Sequence, residues 1–195
     1  MRVYFVRHGE SECNRLDLRC GWSETPLSET GRKQALAAKE YLSTVHFDKV
    51  FCSDLPRAVE TARLALPGAE LILSDKIREI SVGSLSNRPA SDCEAEYGEQ
   101  YRESIRLQDF KVYGGESQQE MKRRVQSFIK DLEKLEGLQN VAVVAHEGTV
   151  LQMLSVAMKK EVLLEWVDIQ NTSVSVFEYQ NGFWKLILFN YTGRL

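Results

Sequence analysis

Cysteine is scarce in this chain of 195 residues. Cys13, Cys20, Cys52 and Cys93 show no C-x-x-C spacing and no His–Cys cluster of the zinc type. That pattern argues against a zinc ribbon or a disulfide scaffold and leaves four free thiols, as a reducing cytoplasm would keep them. No apolar run approaches the roughly 20 residues that span a membrane. The first one, Val3–Val6, is broken by Arg7 and is too short for a signal peptide. Positive charge is not in excess: 25 Lys and Arg against 28 Asp and Glu give a net charge of -3. A chain so balanced is not expected to bind nucleic acid or a membrane surface in general, since both select basic faces. A few arginines in a cleft can still create a local positive field. Repeats, low-complexity tracts and linkers are absent, so the expectation is one domain over 1–195. Histidine is rarest in proportion to its importance, with only His8, His46 and His146.

Apolar periodicity alternates between strands and helices. Val3–Val6 reads as a strand buried on both faces. Ser28 can cap a helix running to about Leu42, with Ala35, Ala38 and Leu42 along one stripe. Lys49–Cys52 is a second strand, ending at Ser53-Asp54. Pro56 opens a helix from Arg57 to about Leu66, which Pro67-Gly68 stops. Glu70–Leu73 is a third strand. Residues 81–115 are irregular and read as a partly helical cap insertion over one end of the sheet. Glu116 to about Glu136 is a long helix whose many charges are expected to be solvated. Val141–Ala145 is a fourth strand, and a helix follows to about Met158. Val174–Tyr179 and Phe183–Phe189, joined by Asn181-Gly182, predict a hairpin. Strands separated by helices predict a three-layer α/β fold.

Two of the three histidines follow strands directly: His8 in Arg7-His8-Gly9-Glu10 and His146 before Glu147-Gly148-Thr149. In open α/β sheets, ligands gather at the carboxyl ends of strands. The same criterion collects Arg7 and, a turn later, Asn14, then Ser53 and Arg57, and then Glu79, which is read as lying at the end of the third strand. Two guanidinium forks, two imidazoles and a carboxyl group suit chemistry on an anion, phosphate above all. An unprotonated imidazole is a nucleophile, and arginine forks grip phosphate oxygens. A carboxyl group can protonate a leaving alkoxide and then activate water. His46 fits none of this and is expected at the surface.

These residues resemble the histidine phosphatase superfamily, the phosphoglycerate mutase-like group. The likeness rests on Arg7-His8-Gly9-Glu10 with Asn14, and on Pro26-Leu27-Ser28-Glu29-x-Gly31-x-x-Gln34-Ala35. Ser53-Asp54-Leu55-x-Arg57-Ala58-x-x-Thr61-Ala62, Arg78-Glu79 with Gly83, and His146 with Gly148 complete it. The resemblance implies an α/β/α sandwich with a mostly parallel central sheet. His8 would be the nucleophile that becomes phosphohistidine, and Glu79 the proton donor and then the base. Arg7, Arg57 and His146 would form the phosphate pocket, with Asn14, Ser53, Gly148 and Thr149 as further contacts. No metal and no cofactor are expected. Where the family usually has Trp this chain has Cys13, expected to pack locally. Glu147 and Leu85–Arg88 also depart from the family pattern, Glu147 adding negative charge beside the pocket and Ser86–Arg88 bordering it.

The expected function is a metal-independent phosphomonoesterase acting on a small phosphorylated metabolite, such as α-ribazole phosphate or a sugar phosphate, in a monomer or homodimer. The alternatives are a cofactor-dependent phosphoglycerate mutase and a phospho-ligand-binding member without turnover. Mutases of the family carry a longer insertion between the acid and the second histidine than the 66 residues separating Glu79 from His146 here. Arg88, Arg102, Arg106 and Lys111 are candidates for gripping the rest of the substrate. Tyr97 and Tyr101 are expected to pack the cap.

Overall fold

The computed structural model describes residues 1–163 and 166–193. Six strands form one sheet in the order β3-β2-β4-β1-β5-β6. They are β1 (Arg2–Arg7), β2 (Lys49–Ser53), β3 (Leu71–Ser74), β4 (Asn140–Ala145), β5 (Val174–Gln180) and β6 (Phe183–Tyr191). β3, β2, β4 and β1 run parallel, while β5 and β6 are antiparallel to their neighbours. Among the described residues six α-helices accompany them: α1 (Glu12–Arg15), α2 (Glu29–Leu42), α3 (Pro56–Ala65), α4 (Ala90–Leu107), α5 (Gln118–Glu133) and α6 (Glu147–Met158).

Period-two alternation divides the core between the two faces of the sheet. Val3, Phe5, Val141 and Val143 face α5 and α6, meeting Val125, Phe128, Ile129 and Leu151. Tyr4, Val6, Ala142 and Val144 face α2 and α3, meeting Leu42, Ala58 and Ala62. β1 and β4 are buried on both sides, so they read as continuous apolar runs.

Local chemistry sets the boundaries. Ser28 caps α2 by accepting from Gly31 N at 3.0 Å, a contribution of about 1 kcal/mol. Asn181 (φ 52°) and Gly182 (φ 79°) make the tight turn of the β5–β6 hairpin. The long helix begins later than its periodicity suggests. Ser117 and Glu120 form a reciprocal capping box, so α5 starts at Gln118 and ends at Glu133. The irregular stretch contains α4, bent at Gly98, whose φ of 53° is not helical. Cys13, Cys20, Cys52 and Cys93 are free thiols. Among the described residues no helix is long and apolar enough to cross a membrane, and no three of His, Cys, Asp and Glu cluster as metal ligands.

Candidate active site

The parallel register brings the site together. Arg7 of β1 lies opposite Ala145 of β4, and Cys52 of β2 opposite Val144. His8, His146 and Ser53 therefore emerge at one level. The two imidazole rings lie 5.0 Å apart, centroid to centroid. His8 is held by its backbone, donating from N to Ala145 O at 2.9 Å and accepting at O from Asn171 Nδ2 at 2.9 Å. Its Nδ1 pairs with Gly9 O at 2.6 Å. A carbonyl only accepts, so Nδ1 carries the proton and Nε2 keeps its lone pair. Arg57 Nε donates to that Nε2 at 3.3 Å. Burial, then Arg57 and Arg7, hold the His8 pKa well below the usual 6.5. Burial, Arg57 and His8 do the same for His146.

Arg57 has no exposed surface. Its Nη1 donates to Ser23 O at 3.1 Å and its Nη2 to Gly21 O at 2.8 Å, so the guanidinium is fixed with its Nε toward His8. One turn along α3, Thr61 Oγ1 accepts from Gly9 N at 3.0 Å. The α2 motif acts on the same loop. Gln34 Oε1 accepts from Glu10 N at 2.9 Å, and Ser28 Oγ donates to Glu10 Oε1 at 2.6 Å. Gly31 is required there because a Cβ would stand 2.0 Å from Glu10 O. That motif is a support for the nucleophile loop.

Arg7 reaches Ile169 O through Nη1, and its Nη2 lies 3.3 Å from Glu147 Oε2. The negative charge expected of Glu147 is thus paired, and burial raises its pKa against the pull of Arg7. Arg7 Nε and His146 Nδ1 are buried with no hydrogen-bond partner among the described residues. His146 Nε2 and Ser53 Oγ are 2.8 Å apart.

Glu79 does not sit at a strand end. β3 stops at Ser74, and a 3-10 turn, Asp75–Ile77, carries the chain on to it. The carboxyl group accepts from Ile80 N at 2.8 Å and from Gly148 N, in the first turn of α6, at 3.2 Å. Gly148 contributes space as well as its N–H: a Cβ would lie 2.5 Å from Glu79 Oε1 and 2.6 Å from Met121 Cε. Its N–H thus serves Glu79 and not a phosphate.

Two other expected contacts form local hydrogen bonds, Asn14 through its acceptor oxygen and Thr149 through its donor hydroxyl. Asn14 is exposed, and its Oδ1 accepts from Ser11 N and Ser11 Oγ in the capping box of α1. Thr149 donates its hydroxyl to Ile77 O at 3.1 Å. The four cap cations are paired with acids of the cap. Arg88 pairs with Glu96, Arg102 with Glu94 and Glu99, Arg106 with Glu103 and Lys111 with Asp109. Tyr97 packs on Tyr113, Tyr101 is buried and His46 is exposed, as expected.

A cleft of about 270 Å³ opens beside Glu79 and Gly148, walled by Leu18, Ile80, Val82, Ile105 and Phe110. Its unforeseen cation is Arg19, whose backbone is bonded both ways to residues 87 and 88. The Ser86–Arg88 stretch holds this wall from behind instead of bordering the pocket. Sequence reasoning also missed Arg124, expected on a solvated face of α5. Its Nη1 donates to the carbonyls of Asp75, Lys76 and Arg78, and its Nη2 to Glu79 O and Glu116 Oε2. Trp22 joins it at Glu79 O, donating Nε1–H at 2.6 Å. Only the Arg57–Thr61 spacing of one helical turn was a usable signal. The other contacts cross too much sequence to leave one.

Comparison with known proteins shows what the chain is similar to. The family model of the histidine phosphatase superfamily (branch 1) matches residues 3–192. An adenosylcobalamin/alpha-ribazole phosphatase of Salmonella typhimurium is 33% identical over 190 residues, 96% of this chain and 90% of its own. A probable phosphoglycerate mutase of an Enterobacter species is 30% identical, covering 94% of this chain and 87% of its own. The crystal structure of a putative alpha-ribazole-5'-P phosphatase from Escherichia coli superposes with a TM-score of 0.90 at 29% identity, over 98% of both chains.

Proposed function

This chain belongs to branch 1 of the histidine phosphatase superfamily, and from that membership we propose that it hydrolyses a small phosphate monoester through a phosphohistidine on His8. The observation that carries the reading is the imidazole of His8. Its proton is anchored on Gly9 O, its free Nε2 faces Arg57, and its buried setting keeps it neutral. A nucleophile held unprotonated at neutral pH is what the first step requires.

His8 Nε2 attacks phosphorus as the bond to the leaving oxygen breaks. Glu79 gives its proton to that oxygen, and the alcohol departs. Water then attacks the phosphoryl group, Glu79 takes a proton from it, and the P–N bond breaks to release phosphate. Arg57, the unpartnered Nε of Arg7 and the unpartnered Nδ1 of His146 face the charge that builds on phosphorus. Groups fixed before the reaction begins stabilise such charge without reorganisation. Ser53 orients His146.

The proposed leaving group is an alcohol that fills the cleft beside Glu79, where apolar side chains alternate with Arg19, Gln108 and Glu147, with α-ribazole phosphate as the first candidate from the named activities of the relatives. The proposed unit is one domain over 1–195 with a cap at about 81–115, acting in the cytoplasm, where free thiols are kept reduced. All groups of the reaction come from one chain, so no second copy is needed.

The test is turnover by the purified protein and its His8→Ala variant on α-ribazole phosphate, sugar phosphates, phosphoglycerates and p-nitrophenyl phosphate, with EDTA present. Phosphate release by the wild type alone is expected. An inert wild type, or one that only exchanges phosphoryl groups with 2,3-bisphosphoglycerate, refutes the hydrolase reading.

A further inference from the structure

The acid and the phosphate pocket sit on separate loops, yet both are tied to one three-residue segment. Gly21 and Ser23 offer their carbonyls to the two Nη atoms of Arg57. Trp22, between them, sends its indole N–H the other way, to Glu79 O at 2.6 Å. Its ring stacks with two guanidinium groups, Arg78 Cζ at 4.7 Å and Arg124 Cζ at 5.8 Å from the centroid. Arg124 shares the same Glu79 carbonyl at 3.2 Å, and Arg78 is anchored to Asp54 through Nε at 2.7 Å. The segment is seated hard against the acid loop: Gly21 has φ +48°, and a Cβ there would meet Val82 N at 2.9 Å. The indole is 36% exposed, so burial alone does not account for its placement.

We infer that Trp22 is a positioning residue that couples the two halves of the site, fixing the backbone of Glu79 relative to the Arg57 fork. The inference rests on the reading of Glu79 as proton donor. A displacement of about 1 Å in such a group can cost on the order of 10²-fold in rate, and an indole hydrogen bond to the backbone of the acid is a direct restraint on that displacement. Trp22 touches no reacting atom, and its side chain bonds Glu79 O while the carbonyls on Arg57 belong to its neighbours, so loss of the N–H acts through Glu79.

Trp22→Phe keeps an aromatic ring beside the arginines and removes the N–H with the pyrrole part of the indole. We expect roughly tenfold slower kcat on an alkyl phosphate and a change within about twofold on p-nitrophenyl phosphate, whose leaving group needs little protonation. In a Glu79→Gln background the same substitution should add nothing, as residues acting in one chain are not additive. Equal losses on both substrates, no loss, or a full additional loss in the double variant would overturn the inference. If Glu79→Gln itself shows no preference between leaving groups, the proton-donor reading fails, and a second measurement judges the coupling. The Trp22 indole N–H resonance, assigned from Trp166→Phe and Trp184→Phe, should shift on titration with inorganic phosphate. An unmoved resonance at saturation refutes the coupling even if Trp22→Phe does not fold.

Discussion

Adding one methyl group at Gly148 should separate stability from activity. The Cβ would stand 2.5 Å from Glu79 Oε1 and 2.6 Å from Met121 Cε. Ordinary contact begins near 3.5 Å, so the carboxylate must retreat by about 1 Å. Both obstructing atoms are the ends of flexible side chains, which can move without deforming the sheet. Overpacking of about 1 to 3 kcal/mol is partly offset by the roughly 1 kcal/mol advantage of Ala over Gly in a helix, here in the first turn of α6. The net loss of stability should therefore be about 2 kcal/mol or less. The catalytic cost has no such offset, because the carboxylate leaves the Gly148 N–H and the position from which it serves the leaving oxygen. For Gly148→Ala, kcat on an alkyl phosphate should drop on the order of 10²-fold, while p-nitrophenyl phosphate should lose less than about fivefold. Paired steady-state kinetics with a denaturation curve measure all three quantities. Alkyl phosphate turnover within threefold of wild type would refute the placement of Glu79 against α6.

Stability should depend on pH through the two buried histidines. Both have folded pKa values well below 6.5, so below that pH the unfolded chain binds protons that the folded one refuses. Stability is then complete above about pH 6.5 and falls as pH drops, by up to about 1.4 kcal/mol per unit for each histidine. Urea midpoints between pH 5 and 7.5 should show a shallower slope for His8→Gln, and parallel curves would contradict the burial argument. The exposed cap arginines should be dispensable for chemistry: Arg102→Ala and Arg106→Ala should keep kcat/KM within about twofold on every substrate that the wild type accepts. A tenfold rise in KM would place either one at the substrate.

Much of the site was legible because its chemistry follows strands. Val3–Val6 and Val141–Ala145 are continuous apolar runs, and the polar residue after each had to emerge at the sheet edge. Arg57 and Thr61 share a helix face at i and i+4, so their joint hold on the nucleophile loop follows from spacing. Glu79 was identified but misplaced, since a strand-end rule does not see the 3-10 turn after β3. Thr149 has the residue type of a phosphate contact, yet a nearby backbone carbonyl engages its hydroxyl first, a competition to which Thr is prone. Trp22 and Arg124 left no trace in the sequence. Their contacts to Glu79 cross 57 and 45 positions, and no local pattern encodes a distance of that kind.

The alignment of Arg7 with Ala145 makes the spacing of the two imidazoles a property of the sheet. Adjacent strands lie about 4.8 Å apart, and His8 and His146 are the next residues on two of them, their rings 5.0 Å apart. The gauge of the phosphoryl seat is thus set by backbone hydrogen bonds that any residue but proline can make. Descendants of this chain could drift widely in sequence and keep the seat unaltered. Its opposite wall is assembled from loops through side-chain and backbone contacts, and each replacement there redraws the room left for the alcohol. New substrates should therefore arise by change at residues 18–20, 80 and 82, which line the cleft, with Glu79 and the two histidines unmoved.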